Sequence, residues 1–374
     1  MNRKIGILTF IWSVNYGAKL QALALQSVVS SLGFECEAIS YKRKEDSRIR
    51  ESIRHLQSGQ LKRPVRELLL EAINWKRTWR FRNFTSQHIR LSPKTCFSLA
   101  DLANRAENYD AIICGSDQVW NPDLTGESQL SYLLDFPNKS ALRRIAYAPS
   151  LGNDTLDEKW HDTFKRCLSK FDTISVREKS AGALISSLAG KEIPSVLDPT
   201  LLLSREQWSK YASNVEIKEP YLLVYSFGFP SGVEKLIEQF AKNKGLQIVT
   251  FHKLRHYTNE LNRYPNAGPR EFLGLFSKAD FVITNSFHGT AFSLIFKKPF
   301  FSVTNKRGIR LKDLLTDLGI ENRIVLREGI KDALFDDTEI NYAEVDKRLL
   351  MLREHSMNFL KNSLDKNDAC LPAK

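Results

Sequence analysis

The sequence predicts an α/β protein built from two doubly wound, Rossmann-like domains that face each other across a cleft. Three observations lead there. The chain has 374 residues, more than the roughly 250–300 at which a single core stops growing. Short apolar runs alternate with stretches of helical spacing. That alternation also occurs as two successive series, which implies two sheets rather than one.

Ile5 to Phe10 alternates too little for a half-exposed strand and predicts a buried parallel one. After Asn15-Tyr16-Gly17, the residues Leu20, Leu23, Ala24, Val28 and Leu32 keep helical spacing until Gly33, and Phe34 to Tyr41 supplies a second strand. Further strands are expected at Tyr109 to Cys114, Arg144 to Ala148, Thr173 to Val176 and Ser195 to Leu197, with helices around Trp160 to Leu168 and Ser180 to Leu188. Asp198-Pro199-Thr200 followed by the polar stretch Ser213 to Pro220 reads as a linker. Beyond it, strands are expected at Tyr221 to Tyr225, Gln247 to Phe251, Phe281 to Thr284 and Phe300 to Val303, and a long helix at Tyr342 to Leu364. The expected division is a first domain over 1–205, a second over 206–340, and a C-terminal helix and tail over 341–374.

Composition narrows the class. With 42% hydrophobic and 26% charged residues the chain can bury a sizeable core. The apolar run after Arg3-Lys4 lacks a small-residue cleavage site, so it reads as a strand and not as a secretory signal. No run approaches the ~20 apolar residues of a membrane span, so a soluble, cytoplasmic protein is expected. Five scattered cysteines without a C-x-x-C pair fit neither a disulfide framework nor a zinc site, and Cys36 and Cys114 read as buried packing. No metal or resident cofactor is expected.

The net charge of +12 is concentrated in a basic helical insertion over 42–90, which holds 14 Lys/Arg against 5 Asp/Glu. Leu68, Ala72, Trp75 and Trp79 fall on one face of its helix. Such a segment suits an anionic membrane surface or a phosphorylated carrier better than nucleic acid, with peripheral placement at the inner face of a membrane. It equally fits an insertion packed through Trp75 and Trp79 onto the first domain.

Ligands of open α/β sheets bind beyond the carboxyl ends of the strands. Asn15, Tyr16 and Gly17 lie there after the first strand, and Ser116, Asp117, Gln118 and Trp120 after the strand ending at Cys114. Gly17 and Gly115 also suit plain turns, and Asn15 and Ser116 plain helix caps. Arg177 emerges as a strand gives way to a helix, where it can grip a carboxylate or phosphate bidentately or serve an ion pair. The most specific cluster is Thr284-Asn285-Ser286-Phe287-His288-Gly289-Thr290, which places His288 at a helix start, a setting suited to a general acid or base. His252 and His256 are weaker candidates, and His55, His88, His161 and His355 read as surface residues. Lys298, Arg307 and Arg310 flank the next strand as further anion ligands.

Taken in order, Asn15-Tyr16-Gly17-Ala18, Gly115-Ser116-Asp117-Gln118-Val119-Trp120-Asn121, Ala146-Tyr147-Ala148-Pro149-Ser150, Ser175-Val176-Arg177-Glu178, Leu197-Asp198-Pro199-Thr200 and Asn285-Ser286-Phe287-His288-Gly289-Thr290 resemble the polysaccharide pyruvyl transferase family. The resemblance runs from about residue 5 to 320. It implies the two-domain architecture of the GT-B glycosyltransferases. It also implies transfer of a pyruvyl group from phosphoenolpyruvate, as co-substrate, to a sugar of a capsule, exopolysaccharide or other cell-surface polymer, or of its lipid-linked precursor, forming a ketal. By the same resemblance Arg177 would bind the donor and His288 would be acid or donor ligand. In such chemistry Asp117 would take the proton of the attacking hydroxyl or, equally, orient the sugar. Several characterised members carry Arg two positions before the His, where this chain has Ser286, so Lys298, Arg307 or Arg310 must supply that charge or the donor differs. Competing readings are a glycosyltransferase using a nucleotide sugar and a non-catalytic saccharide-binding assembly protein.

Overall fold

Ile5, Ile7 and Leu8 are apolar without alternation because β1 (Lys4–Leu8) has a strand on either side, and each is at most 1% exposed. The computed structural model describes residues 3–43, 62–138, 142–229, 232–251, 262–304, 309–326 and 339–365, with 62–74, 262–263 and 309–310 described by their backbone alone. The chain divides into two compact units, one of Met1–Trp75, Thr85–Leu202 and Leu352–Lys374, the other of Lys76–Phe84 and Leu203–Met351.

In the first unit, helix α1 (Tyr16–Ser31) carries the chain from β1 to β2 (Glu35–Ala38). After α2 (Lys62–His88) and α3 (Leu99–Ala106) come β3 (Ala111–Cys114), β4 (Arg143–Ala146), α4 (His161–Leu168), β5 (Thr173–Ile174) and α5 (Lys179–Ala189); shorter helical turns are left unnumbered. The strands form one sheet in the order β2-β1-β3-β4-β5, every pair parallel. The order reverses between β1 and β3, which is where a doubly wound sheet opens a crevice.

The second unit repeats the plan. Its strands are β6 (Tyr221–Tyr225), β7 (Gln247–Thr250), β8 (Asn262–Arg263), β9 (Phe281–Thr284), β10 (Phe300–Thr304) and β11 (Ile324–Leu326). Its helices are α6 (Val233–Asn243), α7 (Pro269–Lys278), α8 (Phe287–Ile295) and α9 (Ile309–Asp317), and α10 (Tyr342–Leu364) closes the chain. The parallel order β11-β10-β9-β6-β7-β8 puts the reversal between β6 and β9. Edge-to-face aromatic pairs fill the core beneath it, with Tyr225 and Phe272 centroids 5.2 Å apart and Phe272 and Phe292 5.5 Å apart.

Several expectations change in three dimensions. Ser195 to Leu197 makes only a single bridge, Val176 to Ser195, because the Leu197 N–H turns away to donate to Ser356 Oγ at 2.9 Å. β8 and β11, of two and three residues, are too short to leave a pattern in sequence. Asp198-Pro199-Thr200 does lead into the division at Leu202 and Leu203, but as a buried turn and not a loose linker: Asp198 is 1% and Thr200 0% exposed, and the turn Pro199–Leu202 packs on α1. The terminal helix is not a separate element. Its residues up to Met351 belong to the second unit, where Tyr342 Oη donates to the Lys298 carbonyl at 2.5 Å; from Leu352 onward it belongs to the first, where Arg353 Nε donates to the Leu201 carbonyl at 2.5 Å. Residues 76–84 of the basic insertion likewise pack within the second unit, through the Arg80–Glu271 pair at 3.0 Å and the Phe84–Tyr211 ring contact. Cys36, Cys96, Cys114 and Cys167 are buried, and burial pushes each thiol up, that of Cys167 to about 11, which suits packing and not nucleophilic attack.

Candidate functional site

Five of the six sequence motifs fall in the first unit. The loops after β1, β3, β4 and β5 and the Asp198 turn are joined by buried polar contacts. Ser116 Oγ donates to Asp198 Oδ2 at 2.7 Å, while Asp198 Oδ1 accepts from the Thr200 amide at 3.0 Å and Thr200 Oγ1 at 2.7 Å. Arg177 Nη1 reaches the same Asp198 Oδ2 at 3.2 Å and its Nε reaches Glu178 Oε2 at 3.4 Å. Ser150 Oγ donates to the other Glu178 oxygen and accepts from the Gly152 amide at 3.0 Å. The side chains of Arg177, Glu178 and Asp198 are 2%, 2% and 0% exposed. Polar groups buried to this degree are tolerated only in such a network.

This arrangement alters the reading of Arg177. It does stand where a strand yields to a helix, and its guanidinium is engaged inside the protein by two carboxylates. Burial alone would pull the guanidinium down; Glu178, Asp198 and Asp117 together hold it above its ordinary value.

Asp117 sits at the first unit's switch point with φ of 72°, in the left-handed region that costs a side-chain-bearing residue energy. Its carbonyl accepts the Ser150 amide at 2.8 Å, and its half-buried carboxylate accepts the Gln118 amide at 2.8 Å. Gln118 Oε1 accepts from Asn121 Nδ2 at 3.1 Å. Gly152 is required beside them: its φ is 77°, and a Cβ there would lie 2.1 Å from Gln118 Oε1.

Five of the residues expected in ligand loops, Trp120, Tyr16, Asn15, Gly17 and Ser116, are engaged in the protein's own packing and hydrogen bonds. Trp120 is 0% exposed, donates Nε1–H to the Tyr132 carbonyl at 3.2 Å and packs edge-on to Phe164 and Phe171. Tyr16 is 1% exposed within the first turn of α1. Asn15 caps that helix, its Oδ1 accepting from the Ala18 amide at 3.2 Å, with Gly17 buried just inside. Ser116, at 0% exposure, serves the Asp198 network. Asp117 and Gln118 are the half-buried residues of this set together with Asn15.

The sixth motif forms the second unit's switch point. Ser286 is the N-cap of α8, with Oγ accepting from the Gly289 amide at 3.4 Å, which places His288 in the first helical turn at 7% exposure. The Phe287 ring meets the His288 ring at 5.4 Å, 87° between planes. Asn285 ties this loop to the one after β6: its Oδ1 accepts from the Phe227 amide at 3.0 Å and its Nδ2 donates to the Gly228 carbonyl at 2.7 Å. Thr284 Oγ1 donates to the Tyr225 carbonyl at 2.6 Å, joining the ends of β9 and β6. Gly289 is what lets α8 start so close to the sheet, since a Cβ would fall 2.2 Å from Thr284 Oγ1 and 3.0 Å from the Tyr225 ring. Gly289→Ala is expected to cost about 1–3 kcal/mol, read as a lowered melting temperature.

Lys298 cannot supply the charge missing at Ser286. It precedes β10, on the amino edge of the sheet, whereas His288 follows β9 on the carboxyl edge; the nine residues of α8 separate them by about 13 Å. Burial, with Arg205 adding to it, draws its ammonium below the ordinary lysine value. Arg307, His252, His256 and His55 lie outside the described residues, as does the side chain of Arg310. His161 meets the Leu156 carbonyl at 3.2 Å, away from either switch point, and His355 is exposed. One residue escaped the sequence reading. Phe227, 65% exposed, stands on the loop held by Asn285; its only signal was an aromatic set between Ser226 and Gly228 after a wholly buried strand.

Two parallel doubly wound sheets, each with its motifs at the switch point, define a GT-B-like α/β protein of two Rossmann-like units. Solved structures of that class are similar to the chain in fold. UDP-GlcNAc 2-epimerase from Methanocaldococcus jannaschii matches with a TM-score of 0.51 at 12% identity over 94% of this chain and 92% of that one. The S. aureus MnaA–UDP co-structure matches with a TM-score of 0.51 at 12% identity over 97% of each chain. The sequence profile of the polysaccharide pyruvyl transferase family covers residues 15–307, and the chain belongs to that family of transferases. No curated protein sequence matches it.

Proposed function

We propose that the protein transfers the pyruvyl unit of phosphoenolpyruvate to a sugar of a cell-surface polysaccharide or its lipid-linked precursor, closing a pyruvate ketal. The observation that supports this most is His288 in the first turn of α8, beside a loop cross-tied by Asn285 at the switch point of the second sheet. A helix N-terminus attracts the anionic groups such a donor carries, and the imidazole adjoining it can move a proton.

In this reading His288 protonates the methylene carbon of phosphoenolpyruvate, leaving an oxocarbenium-like centre at C2. A sugar hydroxyl adds there and gives its proton to Asp117. The C2–O bond to phosphate then breaks, a second hydroxyl of the sugar adds to C2 and passes its proton to the phosphate, and hydrogen phosphate departs. Proton transfer and stabilisation of developing charge together account for catalysis of this kind. Ser286, as cap, holds the start of α8, and Arg307 and Arg310 are proposed as the donor's cationic ligands. Arg177 acts as a positioning residue, bracing the loops around Asp117 through Asp198 and Glu178.

The test is to incubate the full-length protein with phosphoenolpyruvate and candidate saccharides and to follow inorganic phosphate. Phosphate release that requires the saccharide, with a ketal in the product, is the expected result. Release of nucleotide from a nucleotide sugar, with phosphoenolpyruvate inert, would make the protein a glycosyltransferase instead. If neither donor is consumed while the saccharide still binds, the non-catalytic reading replaces both.

A further inference from the structure

The solvent-facing side of α2 carries a feature that the transfer chemistry does not use. Trp75 and Trp79 are 59% and 57% exposed. At 3.6 residues per turn, Trp75, Trp79, Arg82 and Ser86 form one stripe about 60° wide, and all four are exposed. The opposite side holds Phe81, Phe84 and Thr85, each at most 2% exposed. The helix therefore already has an inner apolar face, and the tryptophans are not what seats it. Lys76 is exposed beside the stripe. Arg80 is committed inward to Glu271 and the Asn266 carbonyl, and Arg77 lies over the Phe81 ring at 5.6 Å.

We propose that this outer face of α2 docks on an anionic phospholipid bilayer. Tryptophan pairs an apolar ring system with one N–H donor and so favours the headgroup boundary over either water or hydrocarbon. The segment's charge has the sign that anionic headgroups attract: residues 42–90 hold 14 Lys/Arg against 5 Asp/Glu by sequence, and Arg82 in the stripe and Lys76 beside it are exposed. Among the described residues no helix is long and apolar enough to cross a membrane, so contact of this helix would be in the plane of the surface. A second copy of the chain is the poorer occupant, because a two-fold pairing would set this basic face against itself. The proposal does not depend on the donor, and its outcome is separable from that of the phosphate assay.

Co-sedimentation of the full-length protein with phosphatidylcholine vesicles, with and without phosphatidylglycerol, at low and high salt, tests it. Binding is expected only with phosphatidylglycerol and is expected to fall at high salt. Lys76→Glu with Arg82→Glu should weaken it more than tenfold, at about fivefold for each charge removed. Trp75→Ala with Trp79→Ala should weaken it at both salt concentrations, and exposure of all four side chains keeps the fold intact, checked by an unchanged melting temperature. Equal binding to both vesicle types, no binding to either, or indifference to all four substitutions would overturn the proposal. So would a self-association that the tryptophan substitutions abolish, which would assign the face to a second copy.

Discussion

His288→Ala is expected to reduce phosphate release from phosphoenolpyruvate by roughly 10²–10⁴-fold, the usual contribution of one placed proton donor. Because the ring is 7% exposed and packs on Phe287, its removal also opens a small void, so the melting temperature must be measured on the same sample. His288→Gln keeps most of the volume and can hydrogen-bond, but it cannot deliver a proton, so it should match the alanine variant in rate while melting close to the unsubstituted protein. If His288→Gln keeps full activity, the imidazole is only a filler at the helix start and the proposed proton donor is wrong. A loss confined to the KM for phosphoenolpyruvate, with kcat preserved, would make His288 a donor ligand and leave the protonation step to another group.

Arg177→Ala is expected to be the most destabilising of the single changes considered. It leaves Glu178 and Asp198 buried at 2% and 0% side-chain exposure without their shared cation, a situation that costs about 3–5 kcal/mol. For a unit of this size that corresponds to a fall in melting temperature on the order of 10 °C. Arg177→Lys should recover part of it, since an ammonium supplies the charge but not the fork that spans both acids. Adding Asp198→Asn and Glu178→Gln to Arg177→Met should restore more stability than it removes, because the uncompensated charges go with the arginine. That triple variant separates the two roles of Arg177. If it melts normally yet releases phosphate poorly with an elevated KM for phosphoenolpyruvate, Arg177 binds the donor directly and the positioning role is wrong. Lost kcat with an unchanged KM is the result expected of a residue that braces the Asp117 loop.

Much of the fold was legible because buried parallel strands and the helices between them impose strong local patterns. Tyr221 to Tyr225 and Phe281 to Thr284 are strands over those same residues, and the last helix spans Tyr342 to Leu364 as its spacing indicates. Position along a strand was legible too: Asp117, Arg177 and His288 each follow a strand's carboxyl end, and the direction of a parallel strand fixes the edge on which its loop emerges. The same rule puts Lys298, which precedes β10, on the other edge of the sheet from His288.

What residue spacing could not convey is which neighbour each polar group finds. Asp198-Pro199-Thr200 has the composition of a loop and was read as a linker, yet it is the anchor to which Ser116 and Arg177, 82 and 21 residues away, are bonded. Trp120 lies in a loop where a ligand contact is expected, but its partners Tyr132, Phe164 and Phe171 enclose it. Trp75 and Trp79 have the look of a packing seam, and Phe81 and Phe84 take that place instead. The sequence by itself determined the two doubly wound series, the family and the strand ends at which chemistry belongs, because these follow from periodicity and chain direction within short segments. Tertiary structure alone decided which side chains are committed inside and which face solvent, because burial and ion pairing are set by segments distant in the chain.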